Sequence, residues 1–304
     1  MAQVLKNVFY GFLLLLMAVL GGAKAFVDYT LSDSLQQAVK SVSKQVTLNY
    51  SSAYLSWTGA VVVENVQGST PLGLNFSVAE VRLPAAYHWL SLPAALPNNF
   101  SLELNDVRIP IPETAAQDSW QAVFKAVGYG NYYLSSKELR NLGYAQWQGN
   151  IAFSGLQQAE VLKIATLVQS SAWGNWSGVV ELNKVPALPK WGQLSGQIQV
   201  AEARLGYQDT GLSARLLGFL AQRQGQPLES LKTALAQKVT QDIQQSGLVL
   251  DGSVINSIKQ FIQAPASLNA LLQPTPPITI NELLNAPLEK LPVRLGLKMT
   301  TAQP

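Results

Sequence analysis

The stretch Tyr54-x-x-Trp57-x-Gly59-x-Val61-x-Val63-x-x-Val66 returns ninety positions later as Tyr144-x-x-Trp147-x-Gly149-x-Ile151-x-Phe153-x-x-Leu156, at identical spacing. Apolar residues on alternate positions mark a half-buried strand, and a Tyr, a Trp and a Gly at fixed offsets exceed what alternation alone requires. The echo runs on: Ala79-Glu80-Val81 returns as Ala159-Glu160-Val161, and Glu103-Leu104-Asn105-x-Val107 as Glu181-Leu182-Asn183-x-Val185. The offset falls from 90 to 80 to 78, as loop deletions would make it. A strand unit that cannot bury its apolar face alone stacks on its copy, so the pattern predicts two similar antiparallel modules extending one curved sheet. A hexapeptide, Val78-Ala79-Glu80-Val81-Arg82-Leu83, recurs as Val200-Ala201-Glu202-Ala203-Arg204-Leu205, a partial third copy. The matched arginines point to a shared structural role, such as pairing with Glu80 or Glu202.

The chain has 304 residues, 48% of them hydrophobic, ample for a core. Charged residues make up only 13%, about half the usual share. The 21 basic and 18 acidic residues are dispersed, with no cluster to neutralise a row of phosphates, which argues against nucleic acid. With no cysteine, disulfides, zinc thiolates and thiol catalysis are excluded.

Val8 to Ala23 is apolar or Gly apart from Tyr10, Lys6 precedes it, and Phe26 and Val27 follow Lys24. Ala23-Lys24-Ala25 fits the small-x-small cleavage pattern of a signal peptide. Val8 to Val27 also supplies the roughly 20 residues of a bilayer span, with Lys24 reaching the interface. The uncleaved anchor is preferred, because Leu31, Leu35, Ala38, Val39 and Val42 continue at helical spacing beyond it.

The predicted organisation is a membrane anchor over 1–27, an amphipathic helix over 28–45, a β module over 46–112 and a helical connector over 113–140. A second β module covers 141–208 and a helical region 209–265. The latter holds an α-hairpin whose second helix carries Leu228, Leu231, Leu235, Val239 and Ile243 on one face, then a short helix through Ile255, Ile258, Phe261 and Ile262. Residues 266–304 are Pro-rich and end in a strand in which Val293, Leu295, Leu297 and Met299 alternate with polar residues or Gly. The expected class is α+β.

Chemistry-bearing patterns are few. His88, the single histidine, lies in Tyr87-His88-Trp89-Leu90, without the nucleophile-elbow sequence that would make it a hydrolase base. One histidine and no cysteine give no metal site, and no phosphate-binding glycine loop is present, so no cofactor is expected. Asp209 before Gly211, and Asp251-Gly252, read as turn or helix-start residues. Trp57 and Trp147 read as core. Trp173, Trp176 and Trp191 are expected in Gly- and Ser-containing loops of the second module; Trp also favours boundaries between apolar and polar surroundings, but core is the preferred reading for most of the tryptophans.

A membrane helix leading into an amphipathic segment, then Val46-Thr47-Leu48-x-Tyr50 and Leu55-x-x-x-Gly59-x-Val61-x-Val63-x-x-Val66, resembles the opening of AsmA-like and YdgA-like bacterial envelope proteins. Asp209-x-Gly211-Leu212-x-x-Arg215 and Phe261-Ile262-x-x-Pro265-x-x-Leu268 are similar to the closing region of the YdgA-like group. The resemblance implies a single-pass bacterial inner-membrane protein whose bulk lies in the periplasm, without catalytic residues to carry over, and with a role in lipid movement or envelope assembly. The expected function is therefore non-enzymatic: binding of lipid or another apolar ligand in a β groove lined by Val61, Val63, Ile151 and Phe153. The competing expectation is a structural adaptor that binds another envelope protein, in secretion or pilus assembly, through a sheet edge.

Overall fold

The computed structural model describes residues 47–56, 58–70, 75–84, 98–111, 125–126, 128–186 and 197–302. The protein is α+β, with a large antiparallel sheet and several helices. Its strands are β1 (Thr47–Asn49), β2 (Ser52–Leu55), β3 (Val61–Ser69), β4 (Asn75–Leu83), β5 (Asn99–Pro110) and β6 (Gln146–Gln158). They continue as β7 (Val161–Ser170), β8 (Gly174–Asn183), β9 (Gln199–Gln208), β10 (Ser267–Leu272), β11 (Ile278–Thr279) and β12 (Lys298–Thr300). Hydrogen bonding orders them β1-β3-β4-β5-β6-β7-β8-β9-β10-β12, with β2 beside β3 and β11 beside β9. The chain divides into two compact units at Ile151/Ala152, within β6, and the second unit also takes Asn98–Phe100.

In the first unit the sheet separates its charges cleanly. Cross-strand partners share a face. Val63 lies opposite Val81 and Val81 opposite Leu104, while Val66 lies opposite Val78 and Val78 opposite Val107. All are buried, as are Leu48, Leu83 and Leu102. The other face carries Glu64 opposite Glu80, Arg82 opposite Glu103, and Ser77 opposite Arg108. The charges are held locally: Glu64 accepts from Ser52 Oγ at 2.6 Å and Tyr54 OH at 3.1 Å, and Glu80 accepts from Asn105 Nδ2 at 3.0 Å. A short helix, α1 (Ser136–Asn141), precedes β6, closed by a capping box between Ser135 and Glu138.

The second unit joins the remaining strands to α2 (Leu212–Arg223), α3 (Leu228–Gln245) and α4 (Gly252–Gln263), with the short α5 (Ile280–Asn285) and α6 (Leu291–Arg294) near its end. The helical region lies where periodicity puts it. In the stripe expected on α3, Leu231 is fully buried, at 0% exposure, and Leu235, Val239 and Ile243 are half-buried. Helix α3 packs between α2 and α4, and α4 lies on β10 and β12, where Ser257 Oγ donates to the Met299 carbonyl at 2.8 Å. At the far end of β7 and β8, Leu162, Val185 and Ile198 form a small core with Leu182, Ile164 and Ile280.

Two local expectations change. The closing strand expected from Val293 onward is a helical turn followed by three strand residues: Leu295 N donates to Leu291 O at 2.8 Å and Gly296 N to Val293 O at 3.0 Å. Proline is tolerated in a first helical turn, so Pro292 does not prevent it. The two copies of the opening motif also fold differently in their first halves. Tyr54 lies in the short β2, and Gly59, at φ 76°, sits in the loop closed by Ser56 N to Ala60 O, before β3 begins. Tyr144 instead precedes one uninterrupted strand, β6, with Gly149 inside it.

Candidate apolar ligand site

The second unit repeats the segregation of the first, but leaves its apolar face partly open. Register places Val168, Trp176, Tyr207 and Leu268 in one cross-strand row, and Thr166, Gly178, Leu205 and Ala270 in the next. Ile164, Val180 and Ala203 form a third row on the same side. The charged residues of β7 to β10 and β12, namely Lys163, Glu181, Glu202, Arg204 and Lys298, all fall on the opposite face. There Arg204 Nε meets Glu202 Oε1 at 2.6 Å, the pairing expected from the hexapeptide, and Lys163 lies 3.7 Å from Glu181. Arg82 donates instead to Thr58 Oγ1 at 3.3 Å.

On the charge-free face Trp176 is 52% exposed and Leu205 53%. The two are neighbours, because their strand partners, Tyr207 and Gly178, lie two residues along β9 and β8 respectively. The indole stacks on the Tyr207 ring, with centroids 4.3 Å apart, and that ring meets Phe261 of α4 edge-on at 5.9 Å. Tyr207 is fixed at its other end, where its hydroxyl donates to Asp209 Oδ1 at 2.8 Å.

Asp209 is the turn residue expected from its sequence. Its carboxylate also accepts from Gly211 N at 2.8 Å, Ser213 N at 3.0 Å and Ser213 Oγ at 2.9 Å, tying the end of β9 to the start of α2. Burial pushes its pKa up, but the hydrogen bonds from Ser213, Tyr207 and Gly211 outweigh that and hold it below the ordinary carboxylate value. It supports the aromatic row. Asp251 likewise caps α4, accepting from Ser253 N at 2.8 Å.

The expected groove residues lie in two strands. Val61 and Val63 are in β3, at 6% and 5% exposure, and Ile151 and Phe153 in β6, both half-buried. Trp147 is half-buried in β6 as well. Trp176, expected in a loop, lies inside β8, and the exposure of Leu205 was hidden from sequence reasoning because an apolar residue on an alternating strand reads as core. The only available signal was Trp176 among small residues, in Gly174-Asn175-Trp176-Ser177-Gly178. His88, Trp57, Trp191 and the apolar amino-terminal segment lie outside the described residues. Among the described residues no helix is long and apolar enough to cross a membrane, and no cluster of His, Cys, Asp and Glu is suited to a metal ion.

Fold and site define an α+β protein built on a large antiparallel sheet, with an open apolar face in its second unit. Residues 139–302, more than half the chain, match a family described as "Uncharacterized protein", and the chain belongs to that family. The match takes in β6 to β12 and the helices that follow β9. No curated protein matches the chain.

Proposed function

We propose that the protein is a non-enzymatic, single-pass envelope protein of a bacterial inner membrane, anchored by Val8 to Val27, that binds a lipid or another apolar ligand. The observation that carries the reading is the pair Trp176 and Leu205. Both are half-exposed, adjacent, and set on a face from which every strand charge is absent. An acyl chain offers nothing to hydrogen-bond along its length, so a contiguous apolar lining without converging charges is the surface it requires. The AsmA-like and YdgA-like resemblance, the repeated strand patterns of a duplicated, curved sheet, and the low charge content support the same reading. Val61 and Val63 are closed to solvent, and Trp176 and Leu205 offer direct access.

Native mass spectrometry of the full-length, detergent-extracted protein tests this. Lipid should co-purify, and brominated lipid should quench the wild type more than a Trp176→Phe variant. Protein free of lipid, with equal quenching of both, would overturn the reading. A second reading, an adaptor for another envelope protein, is supported by Leu284, Leu288 and Val293, exposed at 77%, 73% and 59%. Val293 borders a cleft of about 550 Å³ that Val249, Leu250 and Leu297 also line. A stoichiometric protein partner in place of lipid would favour it.

A further inference from the structure

The polar face of the first unit holds a cleft of about 520 Å³, within the range of roughly 300–1,000 Å³ usual for small-molecule sites. Its lining is organised by strand register. Thr47 lies opposite Ser69 and Ser69 opposite Asn75, which makes one rung. Asn49 lies opposite Gln67, Gln67 opposite Ser77, and Ser77 opposite Arg108, which makes the next. Hydroxyls and amides therefore project at interstrand intervals of about 4.8 Å, in two rows two residues apart. No side-chain hydrogen bond among the described residues engages Thr47, Asn49, Gln67, Ser69, Asn75 or Ser77.

The charge balance narrows the ligand. Among the described residues Arg108 is the only charged one of the lining, and Asp106 binds its guanidinium through both oxygens. Asp106 accepts from Gln148 as well, and Arg108 first and Gln148 second hold its carboxyl below the ordinary value. With Arg108 neutralised, the cleft offers no net field to a phosphate or a carboxylate. Amide and hydroxyl side chains both donate and accept, and a ligand matching them must do the same at closely spaced positions. A lipid tail meets none of these groups.

We propose that this cleft binds a neutral polysaccharide, with the two rungs hydrogen-bonding the hydroxyls of successive sugar units. The site is independent of the apolar face of the second unit. The test titrates the full-length protein, in a detergent without a sugar headgroup, with hexamers of N-acetylglucosamine, of β-1,4-linked glucose and of α-1,4-linked glucose. At least one should bind, with an affinity unchanged between about 50 and 500 mM salt, because no ion pair forms. A Gln67→Ala/Asn75→Ala variant should bind at least about tenfold more weakly. Its melting temperature should not move, since neither side chain holds another. The proposal is overturned if no hexamer binds the wild type, if the variant keeps its affinity, or if binding falls with salt as an anionic ligand's would.

Discussion

Leu205 and Leu231 are the same residue in opposite surroundings, and the open apolar face rests on that difference. Leu231 is 0% exposed within the helical layer, and Leu205 is 53% exposed on the sheet. Truncating Leu231 to alanine removes buried methyl groups and leaves a cavity, at a cost of about 2–5 kcal/mol. Leu205 has withdrawn only about half of its side chain from water. Full burial is worth roughly 1.5–3 kcal/mol, so losing what Leu205 buries costs about 1 kcal/mol, with no cavity to add. A glutamate at 205 can place its carboxylate in solvent, and no strand charge on that face opposes it. Thermal unfolding of the full-length protein, followed by circular dichroism, should therefore show Leu231→Ala melting roughly 10 °C below wild type and Leu205→Glu only about 2–4 °C below. Native mass spectrometry of the same preparations should show lipid retained by the wild type and lost from Leu205→Glu. If Leu205→Glu melts as low as Leu231→Ala, the side chain is covered and the face is not open. If Leu205→Glu melts as expected but still carries lipid, the ligand binds elsewhere.

Asp209→Asn keeps one acceptor oxygen but exchanges charge-assisted hydrogen bonds for neutral ones, which should weaken the joint between β9 and α2 by about 1 kcal/mol. Because its folded pKa is depressed, the stability it contributes is present above the unfolded value of about 3.9 and is lost as pH falls through the folded value, so wild type and variant should converge below about pH 4. Denaturation measured from pH 7 down to 2 checks this, and a gap that widens with acid would refute it. At Asn65, held at φ 51°, a β-branched valine should cost about 1–2 kcal/mol and glycine much less, with equal costs counting against the backbone argument. The amino terminus should be retained in the membrane fraction, and a mature sequence beginning at Phe26 would make the protein a soluble exported one.

Much of the fold was legible because its elements announce themselves by period. Leu212 to Ile262 breaks into helices at Gly225, Pro227 and Gly247, residues that end or begin helices for backbone reasons, and the observed helices break there. The candidate site was less legible. Whether an apolar strand residue is covered depends on which element lies over it, and that is set by packing between segments far apart in sequence. Trp176 and Val180 alternate identically on β8, yet Trp176 is exposed and Val180 half-buried. The polar cleft was invisible for the same reason. Four strands must be placed in register before Thr47, Gln67, Ser77 and Arg108 become neighbours.

The repeats preserve a backbone device more faithfully than they preserve a strand arrangement. Strict alternation cannot put Val63 and Val66 on one face, because they are three residues apart. Asn65 takes a left-handed conformation, at φ 51°, and Val66 returns to the buried side with the pairing register to β4 unchanged. Its neighbours make the same step: Val81 and Val78 are both buried across Ala79, and Leu104 and Val107 across Asp106, at φ 50°. In the second unit Leu182 and Val185 share one core across Lys184, at φ 58°. So Glu103-Leu104-Asn105-Asp106-Val107 and Glu181-Leu182-Asn183-Lys184-Val185 are alike because each needs a residue that tolerates positive φ between two core positions. The ninety-residue echo departs from this rule. Gly155 occupies the place of Asn65 without positive φ and stays in the strand beneath Phe100, whose ring leaves no room for a Cβ. There alternation continues, and Leu156 falls on the solvent side, 41% exposed, where Val66 is 6%. Two stretches with one apolar spacing thus bury different faces at their last apolar position, where the preceding Asn65 takes positive φ and the preceding Gly155 does not.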